Sequence, residues 1–240
     1  MTINPAWFGA GGVCAAGGLF AGGAVAPRSQ RFGRTLRGLD DASCMAITFD
    51  DGPNPTVTPG VLELFERYNA KATFFLIGQR VRAFPELARE IAERGHALGN
   101  HTETHPRLTF LSAGRIAQEL ECCDDAIGAA TGTKPRWMRP PFGYRSPLLD
   151  SIVRRRGGAG VAMWNVAARD WRTHAPEPVI QRLRRARGGD IVLLHDGDHR
   201  VLEGERGHVV SALEYWLPRW RAAGIQFVKL DERQLKTQAG

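Results

Sequence analysis

Apolar residues recur along this chain in short runs, and polar stretches with helical spacing separate most of them. Short apolar runs bounded by turn residues are typical of strands buried on both faces of a parallel sheet. Seven runs of this kind lie at Cys44–Phe49, Ala72–Ile77, His96–Asn100, Pro135–Arg139, Gly160–Val166, Asp190–His195 and Ile225–Leu230. The pattern therefore predicts a parallel sheet that begins near residue 44.

Between and after these runs, apolar residues stand three and four positions apart, which indicates amphipathic helices. The first predicted helix has Thr58 as its N-cap and Pro59 at its first position. Six helices are predicted in total, over about residues 58–68, 85–95, 112–128, 146–157, 178–187 and 208–223. Alternating strands and helices predict βαβ units. Seven strands with connecting helices indicate an α/β barrel one strand short of the usual eight, in a single domain.

Residues 5–26 depart from this pattern, because they carry no charge and are dominated by Gly and Ala. Their length fits a membrane span, and Ala24-Val25-Ala26 resembles the end of a signal peptide. The high glycine content argues against stable insertion. An anchor, a cleaved leader and a segment without folded structure are therefore all left open. We assign residues 1–41 to this leader or anchor and a linker, and residues 42–235 to the catalytic domain.

Composition limits the class of protein. A chain of 240 residues with 43% hydrophobic and 24% charged residues can bury one sizeable core. The net charge of +7 comes largely from arginines, which cluster at 154–156 and 182–187. Such clusters either meet an anionic polymer or form solvated helix faces, and no nucleic-acid-binding motif accompanies them. The four cysteines have neither a CxxC spacing nor the pattern of a disulfide framework.

Polar residues collect where five of the predicted strands end. These groups lie at 50–51, 100–105, 139–143, 164–171 and 195–197. In parallel α/β folds the reactive residues stand at the carboxyl ends of the strands. We therefore expect the five groups to meet in one site.

Two of these strand ends have the residue types of a metal site. Asp50 and Asp51 are adjacent, and neighbouring side chains on a strand point to opposite sides, so one carboxylate can bind a metal while the other handles a proton. His101 and His105 are four residues apart, and one helical turn would aim both imidazoles the same way. Two histidines and a carboxylate suit Zn²⁺ with an open position, and they also fit iron, cobalt or manganese.

A metal-activated water can attack a carbonyl carbon, provided that a base, an acid and an oxyanion stabiliser are at hand. Asp50 is placed for the base and His195 for the acid. Arg139 can hold Asp50 ionised, and Asp170 can raise the pKa of His195. Taken singly, each of these residues also fits a structural role, such as an ion pair or a turn cap. As a set they predict a hydrolytic site.

Five motifs in order resemble the NodB-homology polysaccharide deacetylases, carbohydrate esterase family 4. They are T-F-D-D-G-P at 48–53, H-T-E-T-H at 101–105, R-P-P-F-G at 139–143, R-D-W at 169–171 and L-L-H at 193–195. The resemblance covers about residues 42–230. It implies a distorted (β/α)7 barrel and metal-dependent removal of N- or O-acyl groups from a sugar.

The resemblance also implies a role for each matched residue. Asp51, His101 and His105 would bind the divalent metal, for which Zn²⁺ is expected ahead of Co²⁺ or another first-row metal. Asp50 would be the base, oriented by Arg139, and His195 would be the acid, tuned by Asp170. Three further residues would contact the substrate. The backbone N–H of Phe142 would help to hold the oxyanion, and Trp171 and Leu193 would line the pocket for the acyl methyl. Phe142 stands where many members have Tyr, and Ala167 stands where an acidic residue is frequent.

The expected activity is removal of N-acetyl or O-acetyl groups from a glycan such as peptidoglycan or a chitin-type polymer of N-acetylglucosamine. The expected partner is this acetylated glycan and not nucleic acid, and the expected place is the cell envelope. Two alternatives stay open, a deformylase or deacetylase of a lipid-linked sugar and a non-catalytic carbohydrate-binding domain. If residues 5–26 span a membrane, the arginines after them favour a cytoplasm-facing domain, which suits the lipid-linked sugar. Asp198 and His199 are expected to border the cleft.

Overall fold

A parallel β-sheet lies at the centre of the structure, a computed structural model that describes residues 29–230. Its nine strands within these residues are β1 Thr35–Leu36, β2 Cys44–Gly52, β3 Ala72–Leu76, β4 Ala97–Asn100, β5 Trp137–Met138, β6 Gly160–Ala162, β7 Val166–Ala167, β8 Ile191–His195 and β9 Gln226–Phe227. Hydrogen-bonded neighbours follow the order β1–β6–β5–β4–β3–β2–β8–β7, and β9 pairs with the start of β2. All of these pairings are parallel.

Helices form most of the connections between strands. The seven α-helices of the described residues are α1 Thr58–Arg67, α2 Gly78–Ala83, α3 Pro85–Glu93, α4 Ala113–Thr131, α5 Leu149–Arg155, α6 Pro176–Leu183 and α7 Gly207–Ala222. Three short 3-10 helices lie at Leu108–Phe110, Pro141–Gly143 and Asp170–Arg172. Helix α1 shows why such a helix folds: Val61, Leu62 and Phe65 share one face and are fully buried. Burial of each of these side chains stabilises the fold by about 1.5–3 kcal/mol.

The sheet curls but does not close, because its two edge strands, β1 and β7, do not pair with each other. The chain crosses between them directly after β6. Met163 N–H donates to Leu36 O at 2.6 Å, and Asn165 N–H donates to Ile191 O at 3.2 Å. We call this crossing, residues 163–165, the seam. The prediction of a distorted (β/α)7 barrel is confirmed as a curled half-barrel of parallel strands with helices.

Three details differ from the predicted elements. The predicted strand Gly160–Val166 is divided into β6 and β7, because the chain leaves one edge of the sheet and joins the other at the seam. Helix α1 starts at Thr58 rather than after it, and the Thr58 hydroxyl donates to Asp196 Oδ2 at 2.5 Å instead of capping the helix. Strand β1 and helix α2 are not among the predicted elements.

The predicted leader or anchor, residues 5–26, and the last residues of the predicted catalytic domain, 231–235, lie outside the described residues. Between residues 29 and 230, no helix has the length and apolar character needed to cross a membrane. Strand β1 shows that residues N-terminal to position 42 add to the sheet, since Thr35 and Leu36 pair with Val161 and Ala162 of β6.

Candidate metal and catalytic site

The predicted site residues meet at the carboxyl edge of the sheet, around a cavity of about 430 Å³. The strand register explains the meeting, because Asp50 in β2 lies directly opposite His195 in β8. Strand β4 ends next to them at Asn100, which pairs with Met138 of β5. The loops that follow β4 and β5 therefore deliver residues 101–105 and 139–143 to the same edge.

Asp50 and Asp51 have different surroundings, although they are neighbours. Asp50 pairs regularly with β3 and β8, whereas the β2–β3 register shifts between Asp50 and Gly52. Asp51 has φ +71°, in the left-handed region that non-glycine residues seldom adopt. This irregularity lets both carboxylates reach the cavity and face different partners.

Asp51 faces two imidazoles. Its Oδ1 lies 3.4 Å from Nε2 of His101 and 3.2 Å from Nε2 of His105. The three side chains are buried and offer ligand atoms that all lie within 4.8 Å of one another, the single group of this kind found among residues 29–230. This spacing is that of three ligands around one ion, with room for a fourth.

The donor set itself fits a divalent cation. Nδ1 of His101 lies 2.7 Å from Arg139 O, and a carbonyl can only accept, so Nδ1 carries the proton and Nε2 presents a lone pair toward Asp51. Asp51 Oδ1 is buried with no hydrogen-bond donor among the described residues. A buried carboxylate oxygen facing an imidazole lone pair is costly without a positive charge between them. Both atoms would be satisfied by a metal ion.

The protonation states agree with this assignment. Burial opposes ionisation of Asp51, yet hydrogen bonding to the imidazoles of His101, His105 and His199 holds its pKa well below the usual value. A cation in the place of those imidazole protons would act in the same direction. Burial lowers the pKa of His105, with Asp51 opposing part of the effect, so its imidazole stays neutral. An ionised carboxylate and a neutral imidazole are the forms that coordinate metals.

Asp50 is bound by a buried arginine. Arg139 is 0% exposed, and its Nη1 donates to Asp50 Oδ1 at 2.8 Å and to the Thr48 hydroxyl at 2.7 Å. Its other nitrogens donate to two seam-side carbonyls, Ala162 O at 3.2 Å and Met163 O at 3.0 Å. Every nitrogen of the guanidinium thus has an acceptor. A charge-assisted hydrogen bond of this kind fixes the direction of the Asp50 carboxylate.

His195 is held from the other side of the cleft. Its Nδ1 lies 3.1 Å from Asp170 Oδ1, and its backbone N–H donates to Asp170 Oδ2 at 2.9 Å. Burial alone would lower the pKa of His195, but the charge of Asp170 and its hydrogen bond outweigh burial and raise that pKa to about 9. The imidazole is therefore protonated at neutral pH, with Nε2 available to donate.

The three predicted substrate-side residues line the same cavity. Leu193 is buried in β8, two residues before His195. Trp171 is 44% exposed, and its ring meets His195 edge-on at 5.1 Å. Phe142 has φ +60°, and its ring meets His105 edge-on at 4.6 Å. The structure thus brings all ten predicted site residues to one edge of the sheet.

Sequence reasoning gives no supporting role to three residues that hold the site in place. Thr48 shares Arg139 with Asp50. Glu119 is 2% exposed in α4 and accepts from the backbone N–H and hydroxyl of Thr104, at 2.8 and 2.9 Å. His199 lies against Asp51 and lines the cavity, as expected for a residue that borders the cleft. The sequence does contain a sign that Glu119 is buried, because this charged residue stands three residues after Ile116 on the apolar face of its helix.

Comparison with known proteins agrees with this geometry. The family model described as polysaccharide deacetylase matches residues 38–160. A peptidoglycan-N-acetylglucosamine deacetylase of Bacillus cereus is 38% identical over 191 residues, which are 78% of this chain and 86% of that protein. A chitooligosaccharide deacetylase of Azorhizobium caulinodans is 35% identical over 201 residues, which are 80% of this chain and 95% of that protein.

Solved structures give the same result. A peptidoglycan N-acetylglucosamine deacetylase in complex with 4-naphthalen-1-yl-N-oxidanyl-benzamide superposes with a TM-score of 0.74 at 28% identity, covering 82% of this chain and 90% of that one. The peptidoglycan deacetylase PdaC from Bacillus subtilis gives a TM-score of 0.72 at 29% identity, covering 82% and 93%.

Proposed function

The chain belongs to the polysaccharide deacetylase family, and from that premise we propose that it removes N-acetyl groups from an N-acetylglucosamine-containing glycan by metal-assisted hydrolysis. One observation carries the proposal. The convergent ligand atoms of Asp51, His101 and His105 stand beside an Asp50 whose carboxylate is fixed by Arg139. A metal site next to a fixed base is what hydrolysis of an amide requires.

Asp51, His101 and His105 would hold the cation. Zn²⁺ is our preferred ion because two imidazoles and a carboxylate form a usual catalytic zinc set, with Co²⁺ as the expected substitute. When bound, the metal supplies Lewis-acid chemistry, in that it polarises the acyl carbonyl and lowers the pKa of water.

Asp50 serves as the base. Its Oδ1 is occupied by Arg139 at 2.8 Å, so Oδ2 is the oxygen that faces the cavity and accepts the proton of the attacking water. Oδ2 also lies 3.8 Å from Nε2 of His101, which places the base beside the metal ligands. Arg139 orients Asp50 by binding its Oδ1.

His195 serves as the acid. Asp170 holds its Nδ1, so Nε2 is the nitrogen that gives a proton to the departing amine. Leu193 and Trp171 border the place of the acetyl methyl, and the backbone N–H of Phe142 donates to the oxyanion. A backbone donor is indifferent to the replacement of Tyr by Phe at this position.

Two properties of the relatives are carried over to this chain. The names of these relatives refer to peptidoglycan and to chitooligosaccharide, so we assign the substrate to acetylated glycans of these kinds. Peptidoglycan lies in the cell envelope, and we place the activity there. The catalytic domain is assigned to residues 42–235, with strand β1 as an N-terminal addition to its sheet.

The first test is release of acetate from N-acetylglucosamine oligomers and from peptidoglycan, with an O-acetylated glycan as a third substrate. We expect turnover that a chelator abolishes and that Zn²⁺ or Co²⁺ restores. Asp50→Asn should lower kcat by about 10²- to 10⁴-fold while metal binding stays nearly intact, because the base is removed and the ligands remain. His101→Ala should lose both properties.

Normal turnover in Asp50→Asn would overturn the division of labour between the two aspartates. Full activity in chelated, metal-free protein would overturn the metal-assisted mechanism.

A further inference from the structure

A second cavity, of about 870 Å³, lies on the outer side of the seam. We call it the seam groove. Strand β7, the end of α6 and the residues before β8 form its walls. Five of its lining residues are arginines, namely Arg169, Arg182, Arg184, Arg185 and Arg187. Trp164 lines both the seam groove and the catalytic cleft, so the two cavities adjoin at this side chain.

The positive charge of the seam groove is not neutralised by the protein around it. Among residues 29–230, none of its five arginines forms an ion pair with a carboxylate. The one acidic lining residue, Asp190, has both oxygens occupied, Oδ1 by Asn165 Nδ2 at 2.6 Å and Oδ2 by the backbone N–H of Arg187 at 2.8 Å. Asp190 therefore fixes the backbone of the groove and binds none of its guanidinium groups. Arg182 Nη1 donates to Pro178 O at 3.4 Å, and the side chains of the other four arginines form no hydrogen bond within residues 29–230, which leaves them available to an anion.

Positive charge continues along the catalytic cleft. Arg107 and Arg200 line it, both are exposed, and neither forms an ion pair with a described carboxylate. Arg107 lies over the ring of Phe142, with its guanidinium carbon 5.4 Å from the ring centre. Arg107 thus lies beside Phe142 at the cleft, while Arg169, two residues before Trp171 in the chain, lines the seam groove.

We infer that the seam groove binds carboxylate groups of the same glycan strand whose acetylated sugar occupies the cleft. The inference rests on the proposed function, which supplies the glycan, and the groove adds that this glycan is acidic. Guanidinium groups bind carboxylates through paired hydrogen bonds, and several of them around a groove favour a ligand with repeated negative charges. A peptidoglycan strand, with carboxylates on its sugars or attached peptides, fits this description, and a neutral chitin oligomer does not.

The test compares two ligands that differ only in charge. One is a peptidoglycan strand with free carboxylates, and the other is the same strand with its carboxylates amidated. Binding is measured by calorimetric titration at low and high salt. Three proteins are compared, namely the wild type, Arg184→Gln/Arg185→Gln in the groove, and Arg67→Gln/Arg155→Gln. The last variant removes the same charge from exposed arginines outside the groove.

We expect the wild type to bind the free-carboxylate strand roughly 3- to 10-fold more tightly than the amidated strand at low salt, as surface ion pairs allow. The groove variant should lose this preference and the control variant should keep it. High salt should weaken the preference in the wild type, since exposed charges are screened. Turnover of a neutral N-acetylglucosamine oligomer should be equal in all three proteins.

A groove variant that keeps the preference would overturn the inference. It would equally be overturned if the groove variant lost affinity only for polyphosphate or duplex DNA, because the groove would then serve another polyanion. Failure of the wild type to release acetate from any glycan would instead contradict the proposed function, and the binding comparison does not depend on turnover.

A separate observation concerns His199, which touches the candidate metal site without belonging to its ligand group. Its backbone N–H donates to Asp51 Oδ2 at 3.3 Å, and its Nδ1 lies 3.5 Å from the same oxygen. Its ring stacks on His105 with centres 4.3 Å apart and an angle of 23°. His199 thus contacts two of the three candidate ligands, through Oδ2 of Asp51 and through the face of the His105 ring.

The geometry assigns His199 as a positioning residue. Its backbone N–H and its Nδ1 both lie close to Asp51 Oδ2 and turn Oδ1 toward His101 and His105, and its ring fixes the plane of the His105 ring by stacking. The Nδ1 contact and the stacking are the part that depends on the side chain. His105 has particular need of such support, because its Nδ1 has no hydrogen-bond partner among the described residues.

The test is Zn²⁺ affinity, measured by competition with a chromophoric chelator. His199→Ala should bind Zn²⁺ roughly 10- to 100-fold more weakly, the usual effect of removing a group that orients a metal ligand. His199→Asn, which keeps a donor near Oδ2, should recover part of the loss, and His174→Ala, an exposed histidine elsewhere, should bind normally. Unchanged affinity in His199→Ala would overturn the assignment. A Co²⁺ absorption spectrum that loses one nitrogen ligand in His199→Ala would also overturn it, by making His199 a ligand.

Discussion

At the scale of single residues, each reactive group is fixed by one partner that carries the opposite charge. Arg139 contacts Asp50, and Asp170 contacts His195, on strands that lie side by side. Arg139 fixes the carboxylate of the proposed base by a hydrogen bond, and Asp170 raises the pKa of the proposed acid to about 9. The proposed acid therefore carries its proton at neutral pH.

A pH profile tests the role of Asp170. As the proposed acid, His195 acts only while protonated, so kcat/KM should fall as the pH rises through its pKa, which Asp170, with smaller contributions from Asp51 and Asp50, raises from 6.5 to about 9. In Asp170→Asn the negative charge is gone, and this alkaline limb should move to lower pH by roughly 1–3 units. A cation beside Asp51 lowers the pKa of His195 in both proteins, so the comparison is between the two profiles.

Glu177→Gln is the control for this profile, because Glu177 is exposed in the nearby helix α6. Its profile should match that of the wild type. An alkaline limb in Asp170→Asn at the wild-type position would show that another group is the acid.

At the scale of elements, helix α4 supports the loop that carries the histidines. Glu119 of α4 accepts two hydrogen bonds from Thr104, and Arg115 forms an ion pair with it at 3.0 Å. His105 follows in the left-handed region, at φ +57°, a conformation that needs support from its surroundings. The H-T-E-T-H loop is thus shaped by a helix and not by one helical turn of its own.

Removal of this support should weaken metal binding. In Glu119→Ala the N–H of Thr104 loses its charged acceptor, a hydrogen bond of the kind worth about 1.5–3 kcal/mol. We expect Zn²⁺ affinity to fall roughly tenfold or more, with the fold retained. Glu121→Ala, an exposed position on the same helix, is the matched control and should bind normally. Wild-type affinity in Glu119→Ala would mean that the loop holds its own shape.

The sequence predicts the strand ends well and the connections between them less well. Asp50, His101 and His195 are placed by motifs that directly follow apolar runs, and the parallel register then brings them together. Strand β1 escapes prediction because a two-residue strand has no periodicity of its own. The sequence does not predict a role for His199, because its contacts with Asp51 and His105 depend on how the loop after β8 folds back. The spacing of residues along the chain does not encode that fold.

At the scale of the whole molecule, the candidate metal site joins two stretches of chain that are distant in sequence. Asp51 lies near the end of β2 and the two histidines follow β4, while His199 contacts the site from the loop after β8. An ion bound by Asp51, His101 and His105 would link the first two stretches in the folded state only. Metal binding should therefore stabilise the entire domain and not the cleft alone.

Thermal unfolding measures this effect without any substrate. At about 100 times the Kd, Zn²⁺ should stabilise the fold by about 2.7 kcal/mol, which for a domain of this size raises Tm by roughly 5–10 °C. His101→Ala should show little of this increase, and His174→Ala should show all of it. An equal increase in His101→Ala would indicate binding elsewhere on the molecule.

The complete burial of Arg139 has a consequence for the evolution of this barrel. Its guanidinium lies over the ring of Phe75 at 4.1 Å, in the interior where other barrels place apolar side chains, and Asp50 is its counterion. Loss of Asp50 would leave a buried positive charge without a partner, which is strongly destabilising. A lineage that abandoned catalysis by mutating its base would therefore come under selection to replace the arginine as well. In this barrel, loss of activity through Asp50 would therefore not by itself leave the position of Arg139 free to vary without selection.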